Sequence, residues 1–140
     1  MSIFTEEQAK AILDKVIKLS KADQCTAQLE GSIDGNIRFA LNNISTSGIV
    51  DNTELAVEVA FGSRVGTATI NEFDDAALER VVRRAEDLAR LAPENPEFMP
   101  AIEKQTYKPS PTFSESTAAI TPEYHAKVAA DSIGPCKGEK

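Results

Sequence analysis

The chain has 140 residues, 41% hydrophobic and 26% charged, with a formal net charge of −7. That is about one domain, able to bury roughly two-thirds of its unfolded surface without a metal or disulfide staple. The negative balance argues against a general nucleic-acid binder, which needs clustered Lys and Arg. No apolar run approaches the ~20 residues of a membrane span. The N-terminal MSIFTEEQAKAILDK carries acidic residues where a secretory signal is basic, and it has no apolar signal segment. The chain therefore reads as cytoplasmic.

The first helix is expected from Thr5, where Thr5 and Gln8 form a T-x-x-Q capping box. Ala9, Ile12, Leu13, Val16 and Leu19 give its apolar stripe, and it should end near Ser20–Ala22. The period then changes to 2, with Cys25, Ala27 and Leu29 alternating with Thr26, Gln28 and Glu30, a half-buried strand. Asp34-Gly35 is a favoured hairpin dipeptide, after which Ile37, Phe39 and Leu41 alternate with polar and small residues. Asn42-Asn43 is a weaker turn signal; without a turn there, the strand continues through Ile44 with a bulge near Gly48. Asp51-Asn52 is expected to close another hairpin before Leu55, Val57, Val59 and Phe61, and Gly62-Ser63 suits a type II′ turn into Arg64–Ile70.

Asp74 then caps the most strongly patterned helix. Leu78, Val81, Val82, Ala85, Leu88, Ala89 and Ala92 line one face, and Pro93 and Pro96 stop it. Its other face carries Arg80, Arg83, Arg84 and Arg90. Glu79–Arg83, Arg83–Asp87 and Glu86–Arg90 are i,i+4 pairs, the pattern of a solvated face rather than a phosphate-binding one. The predicted fold is α+β: an antiparallel meander of four to five strands flanked by two amphipathic helices, then an extended linker and a third helix. One sheet face is covered and the other stays wet. Residues 1–92 read as the domain, 93–120 as a Pro-rich extended linker, and 121–140 as a helix and tail opening a second domain. Thr121 caps that last helix with Pro122 at its first position.

The chemistry-bearing residues are few. Cys25 lies on the apolar alternation and reads as core, while His125, the single histidine, reads as a surface residue of the last helix. With Cys136 they offer no paired zinc-ligand spacing. No nucleophile frame or phosphate loop is present, and Glu6-Glu7 and Asp74-Asp75 are carboxylates placed for helix dipoles. No catalytic, cofactor-binding or metal-ligating residue is therefore assigned.

An ordered set of features resembles the N-terminal region of the TldD/PmbA family, known as modulators of DNA gyrase and as metallopeptidases. Lys21-Ala22-Asp23 at the entry to the first strand is similar to a G-A-D entry, and Asn42-Asn43 stands where relatives have Asn-Gly. Gly66-Thr67-Ala68-Thr69-Ile70-Asn71-Glu72-Phe73 is similar to a G-x-A-S-T-x-D run leading into the Ala/Arg-rich helix. Ala92-Pro93-Glu94-Asn95-Pro96 and the Thr121-Pro122-Glu123 helix start follow in family order. The resemblance implies a two-domain, dimeric protein, paired with itself or a family paralogue, that cleaves peptides or unfolded proteins. Its zinc site is an H-E-x-x-x-H motif plus a later cysteine in the C-terminal domain, and PmbA-type members lack it. That motif does not occur here, so any zinc would belong to a second domain and the chain alone should be inactive. On this reading the chain is the non-catalytic N-terminal domain, shaping substrate access and dimer contacts. An edge strand, Arg64–Ile70 or Cys25–Ser32, is the candidate for holding an extended peptide by strand addition. The alternative is a stand-alone, protein-binding regulatory module without peptidase activity, contacting its partner through the Arg80/Arg83/Arg84 face or the linker. No direct nucleic-acid or membrane partner is expected.

Overall fold

The computed structural model describes residues 4–138. Helix α1 (Glu6–Leu19) is followed by strands β1 (Gln24–Ala40), β2 (Asn43–Phe61) and β3 (Arg64–Ile70), then helix α2 (Asp75–Leu91). A single turn, α3 (Glu115–Ala118), precedes α4 (Pro122–Ile133), which ends in a 3₁₀ turn at Gly134–Cys136. No helix among the described residues is long and apolar enough to cross a membrane.

The α+β arrangement holds, but the sheet has three strands, in the order β1-β2-β3, rather than four or five. Asp34-Gly35 and Asp51-Asn52 are not turns; each lies inside a long strand. The first reversal is instead at Leu41 and Asn42, both at positive φ (50° and 58°), one residue before the expected Asn42-Asn43. Two successive left-handed residues define the tight turn that matches strand twist, and asparagine tolerates that region. The Gly62-Ser63 reversal is as expected, with Gly62 at φ +58° closing a β2–β3 register of Phe61↔Arg64 through Leu55↔Ile70. Counting back from the two-residue turn would put Cys25 opposite Glu58. Yet Cys25, Ala27 and Leu29 share the core face with Leu55, Val57 and Val59. Since opposed residues share a face, the long hairpin must contain a one-residue bulge.

The chain divides into two compact units, one formed by the described part of Met1–Ser32 with Asn52–Gln105, the other by Ile33–Asp51 with the described part of Thr106–Lys140. In the first, the core is Val16 of α1, Leu55, Val57 and Val59 of β2, Ala68 of β3, and Leu78, Val81, Val82, Ala85 and Ala89 of α2. Caps start both helices as the sequence demands. Thr5 and Gln8 exchange backbone and side-chain hydrogen bonds (3.0 and 3.3 Å), and Asp74 Oδ1 accepts the Ala77 N–H at 3.0 Å. Gly66 lets α2 sit directly on β3: a Cβ there would lie 2.2 Å from Ala89 N and 2.3 Å from Ala85 O. Leu88, assigned to the apolar stripe, is 43% exposed instead. The buried face of α2 is turned toward Val82, Glu86 and Ala89, because the end of α1 and its connection to β1 cover that side. Thr53 is buried with its hydroxyl unpartnered among the described residues.

In the second unit, α4 begins as expected, with Thr121 Oγ1 accepting the Tyr124 N–H at 3.4 Å and Pro122 in its first turn. Its buried residues are Ala129 and Ile133, one helix turn apart, while Tyr124 and Val128 are exposed. One turn before Ala129, the half-buried His125 packs on Gly35 of β1, where a Cβ would meet the ring at 2.7 Å. Gly35 is thus kept for a close approach rather than for a turn.

Candidate functional site

The strand order makes β1 and β3 the outer strands, so both segments proposed for strand addition, Cys25–Ser32 and Arg64–Ile70, lie on sheet edges. Edge strands carry backbone N–H and C=O groups available to another chain. The β3 edge is fixed from behind by the Gly66–α2 contact. At its start, Arg64 donates to the Arg90 carbonyl at 3.4 Å and pairs with Glu94 at 3.5 Å, while the Arg90 guanidinium lies 4.7 Å from the Phe61 ring centroid. A short edge held this firmly presents its backbone without first having to order it, which lowers the entropic cost of binding.

The solvent face of the same sheet is built by the alternate residues. Thr26, Gln28 and Glu30 come from β1, Ala56 and Glu58 from β2, Thr67 and Thr69 from β3. Thr67 donates to Glu58 across the strands at 3.4 Å. Three shallow clefts lie there. One of about 460 Å³ is lined by Leu29, Glu30, Gly31, Ser32, Asn52 and Glu54. One of about 210 Å³ lies over Thr26, Gln28, Ala56, Glu58 and Thr67. The third, about 140 Å³, is walled by Phe98, Met99 and Ala101 from beyond α2. These surfaces offer hydroxyls, amides and carboxylates.

Glu86, which sequence pairing put on a solvated face, is only 1% exposed. Its Oε1 accepts the Lys21 N–H and its Oε2 the Arg83 guanidinium, both at 2.6 Å. Arg83 also donates to the Leu19 carbonyl at 2.9 Å, and Arg90 lies 3.8 Å from Glu86. Burial pushes this carboxyl up, but the Lys21 N–H and the Arg83 and Arg90 charges outweigh it and hold it below its ordinary value. The expected i,i+4 pairs Glu79–Arg83 and Glu86–Arg90 are present at 3.9 and 3.8 Å, while Asp87 pairs with Arg90 at 3.0 Å. The network clamps the α1–β1 connection to α2. Asp23 continues the clamp by accepting the Gly62 N–H at 2.8 Å and donating its own N–H to the Ala60 carbonyl. The signal for Glu86 was in the sequence: it stands four residues after Val82 and three before Ala89, in line with the apolar stripe.

Cys25, half-buried beside this network, has its thiol pushed up by burial; a Ser20 hydrogen bond works against that and the Glu86 charge adds to it. A thiol so placed is a weak nucleophile. Cys136 is exposed, and its thiol lies 3.9 Å from the Ser132 carbonyl. Among the described residues no group of three or more His, Cys, Asp or Glu could hold a metal ion.

The PmbA/TldA metallopeptidase domain 1 family matches residues 26–89, from β1 to near the end of α2. No curated protein matches the chain. Among solved structures, TldE from Thermococcus kodakarensis shares the fold at a TM-score of 0.79 with 14% sequence identity, over 94% of this chain. The chain spans 29% of the length of that TldE chain. Residues 26–89 are therefore similar to the first domain of the PmbA/TldA family, and the TldE fold is consistent with the TldD/PmbA resemblance that the sequence itself presents.

Proposed function

We propose that this chain is the non-catalytic first domain of a TldD/PmbA-type peptidase, shaping substrate access and supplying dimer contacts. It holds extended or unfolded polypeptide by strand addition. The observation that supports this reading is the coincidence of the family match over residues 26–89 with a three-stranded sheet whose outer strands are β1 and β3. Backbone pairing is indifferent to side chains, which suits a domain that must accept unfolded chains of any sequence. Zinc, implied by the metallopeptidase name, has no fitting ligand set among the described residues, so no chemical step is assigned to this chain.

Strand addition uses the peptide's own N–H groups, so the test alters the peptide and leaves the protein intact. Fluorescence anisotropy with a neutral, extended peptide should show binding that is lost when alternate backbone nitrogens are methylated in one phase and kept in the other. Equal binding of all three peptides would overturn the edge mechanism. A full chain that binds none of them, yet binds a folded protein partner, would favour a regulatory module without peptidase activity.

A further inference from the structure

The solvent face of the sheet already carries a length of the chain's own backbone. Beyond α2, Asn95 donates its N–H to the Ser63 carbonyl at 3.0 Å, and Ala101 donates its N–H to Gln24 Oε1, also at 3.0 Å. Between them, Phe98 is half-buried and helps wall the cleft over Gln24, Thr26 and Glu58. The neighbouring cleft over Gln28, Ala56 and Thr67 shares Thr26 and Glu58 with it, so the two form one trough across the three strands. Small side chains at Thr26, Ala56 and Thr67 keep its floor low enough for a backbone to approach. No cation lines it. Glu58 is exposed, and its hydrogen-bond partner among the described residues is the Thr67 hydroxyl at 3.4 Å.

We propose that this trough docks an extended, cationic polypeptide segment beside residues 98–101, with Glu58 as its charge partner. Two observations support that occupant. At Ala101 a side-chain amide of this face, that of Gln24, already receives a peptide N–H. The trough's one formal charge is negative, and Glu30 adds a second carboxylate two residues beyond Gln28 on the same strand face. The mode differs from strand addition, because the contacts come from side chains on the sheet's face rather than from an edge, and it stands whether or not the edges bind peptide.

The test is fluorescence anisotropy on the full chain with two labelled Ala/Ser/Thr peptides, one carrying alternate lysines and one alternate glutamates. The lysine peptide should bind and the glutamate peptide should not. Glu58→Gln should weaken the lysine peptide about 3- to 5-fold, the scale of one exposed ion pair, and Glu7→Gln, on the exposed start of α1, should not. The Glu58→Gln effect should fade at ~0.5 M salt. Equal binding of the two peptides overturns the proposal, as does no binding of the lysine peptide or an equal effect of Glu7→Gln. Lysine-peptide binding that is abolished by backbone methylation yet unaffected by Glu58→Gln would assign the peptide to an edge and also overturn the trough.

Discussion

At the scale of single residues, Glu86 shows how burial and pairing divide a charge's cost. A carboxylate taken out of water is tolerated only where hydrogen-bond donors replace the lost hydration. Here the Lys21 N–H and Arg83 do so, and they also tie three segments together. Because its folded pKa lies below the ordinary glutamate value of about 4.3, the linked stability is fully present above that value. It is lost as pH falls through the folded pKa. Glu86→Gln should therefore lower stability near neutral pH by about 1–3 kcal/mol, the range for hydrogen bonds to charged groups. The variant should also show a flatter fall between pH 5 and pH 3, roughly the window where glutamates titrate. Thermal melts of both proteins across that range check it, and parallel acid limbs would contradict it.

At the scale of elements, two glycines do work that turn statistics did not foresee. Gly66 sets the distance between α2 and β3, and Gly35 admits the His125 ring of α4. For Gly35 the obstacle is a side chain, so the cost of adding a methyl depends on that ring. Gly35→Ala should destabilise α4's attachment by about 1–2 kcal/mol, as overpacking does. In a His125→Ala background the same change should cost little, giving a clear coupling in a double-mutant cycle. Hydrogen exchange at Ala129 and Ile133 reports it, since those are the buried residues of α4. Additive effects would mean that the close approach is not what restricts residue 35.

At the scale of the whole molecule, residues 99–113 are exposed and outside any helix or strand, with Met99, Ile102, Tyr107 and Phe113 each at least 80% accessible. Exposed backbone outside helices and strands is where proteases cut first. Lys108 is followed by Pro109, which blocks trypsin, so brief trypsin treatment should cut after Lys104 before any Lys or Arg bond between residues 5 and 92. Mass spectrometry of the first fragments checks this, and an earlier cut inside α1 or α2 would contradict it.

The sequence by itself determined the local decisions: the capping box at Thr5, the Asp74 and Thr121 caps, the Gly62-Ser63 reversal, the apolar face of α2 and the alternation that identifies the two outer strands. Each rests on interactions within a few residues. The tertiary structure alone decided which glycine dipeptides are turns and which charges are buried. Asp34-Gly35 stays extended because its glycine is needed under a helix more than eighty residues away. Glu86 goes inward because a backbone N–H sixty-five residues earlier in the chain meets it. No local pattern encodes a partner that only folding brings into reach.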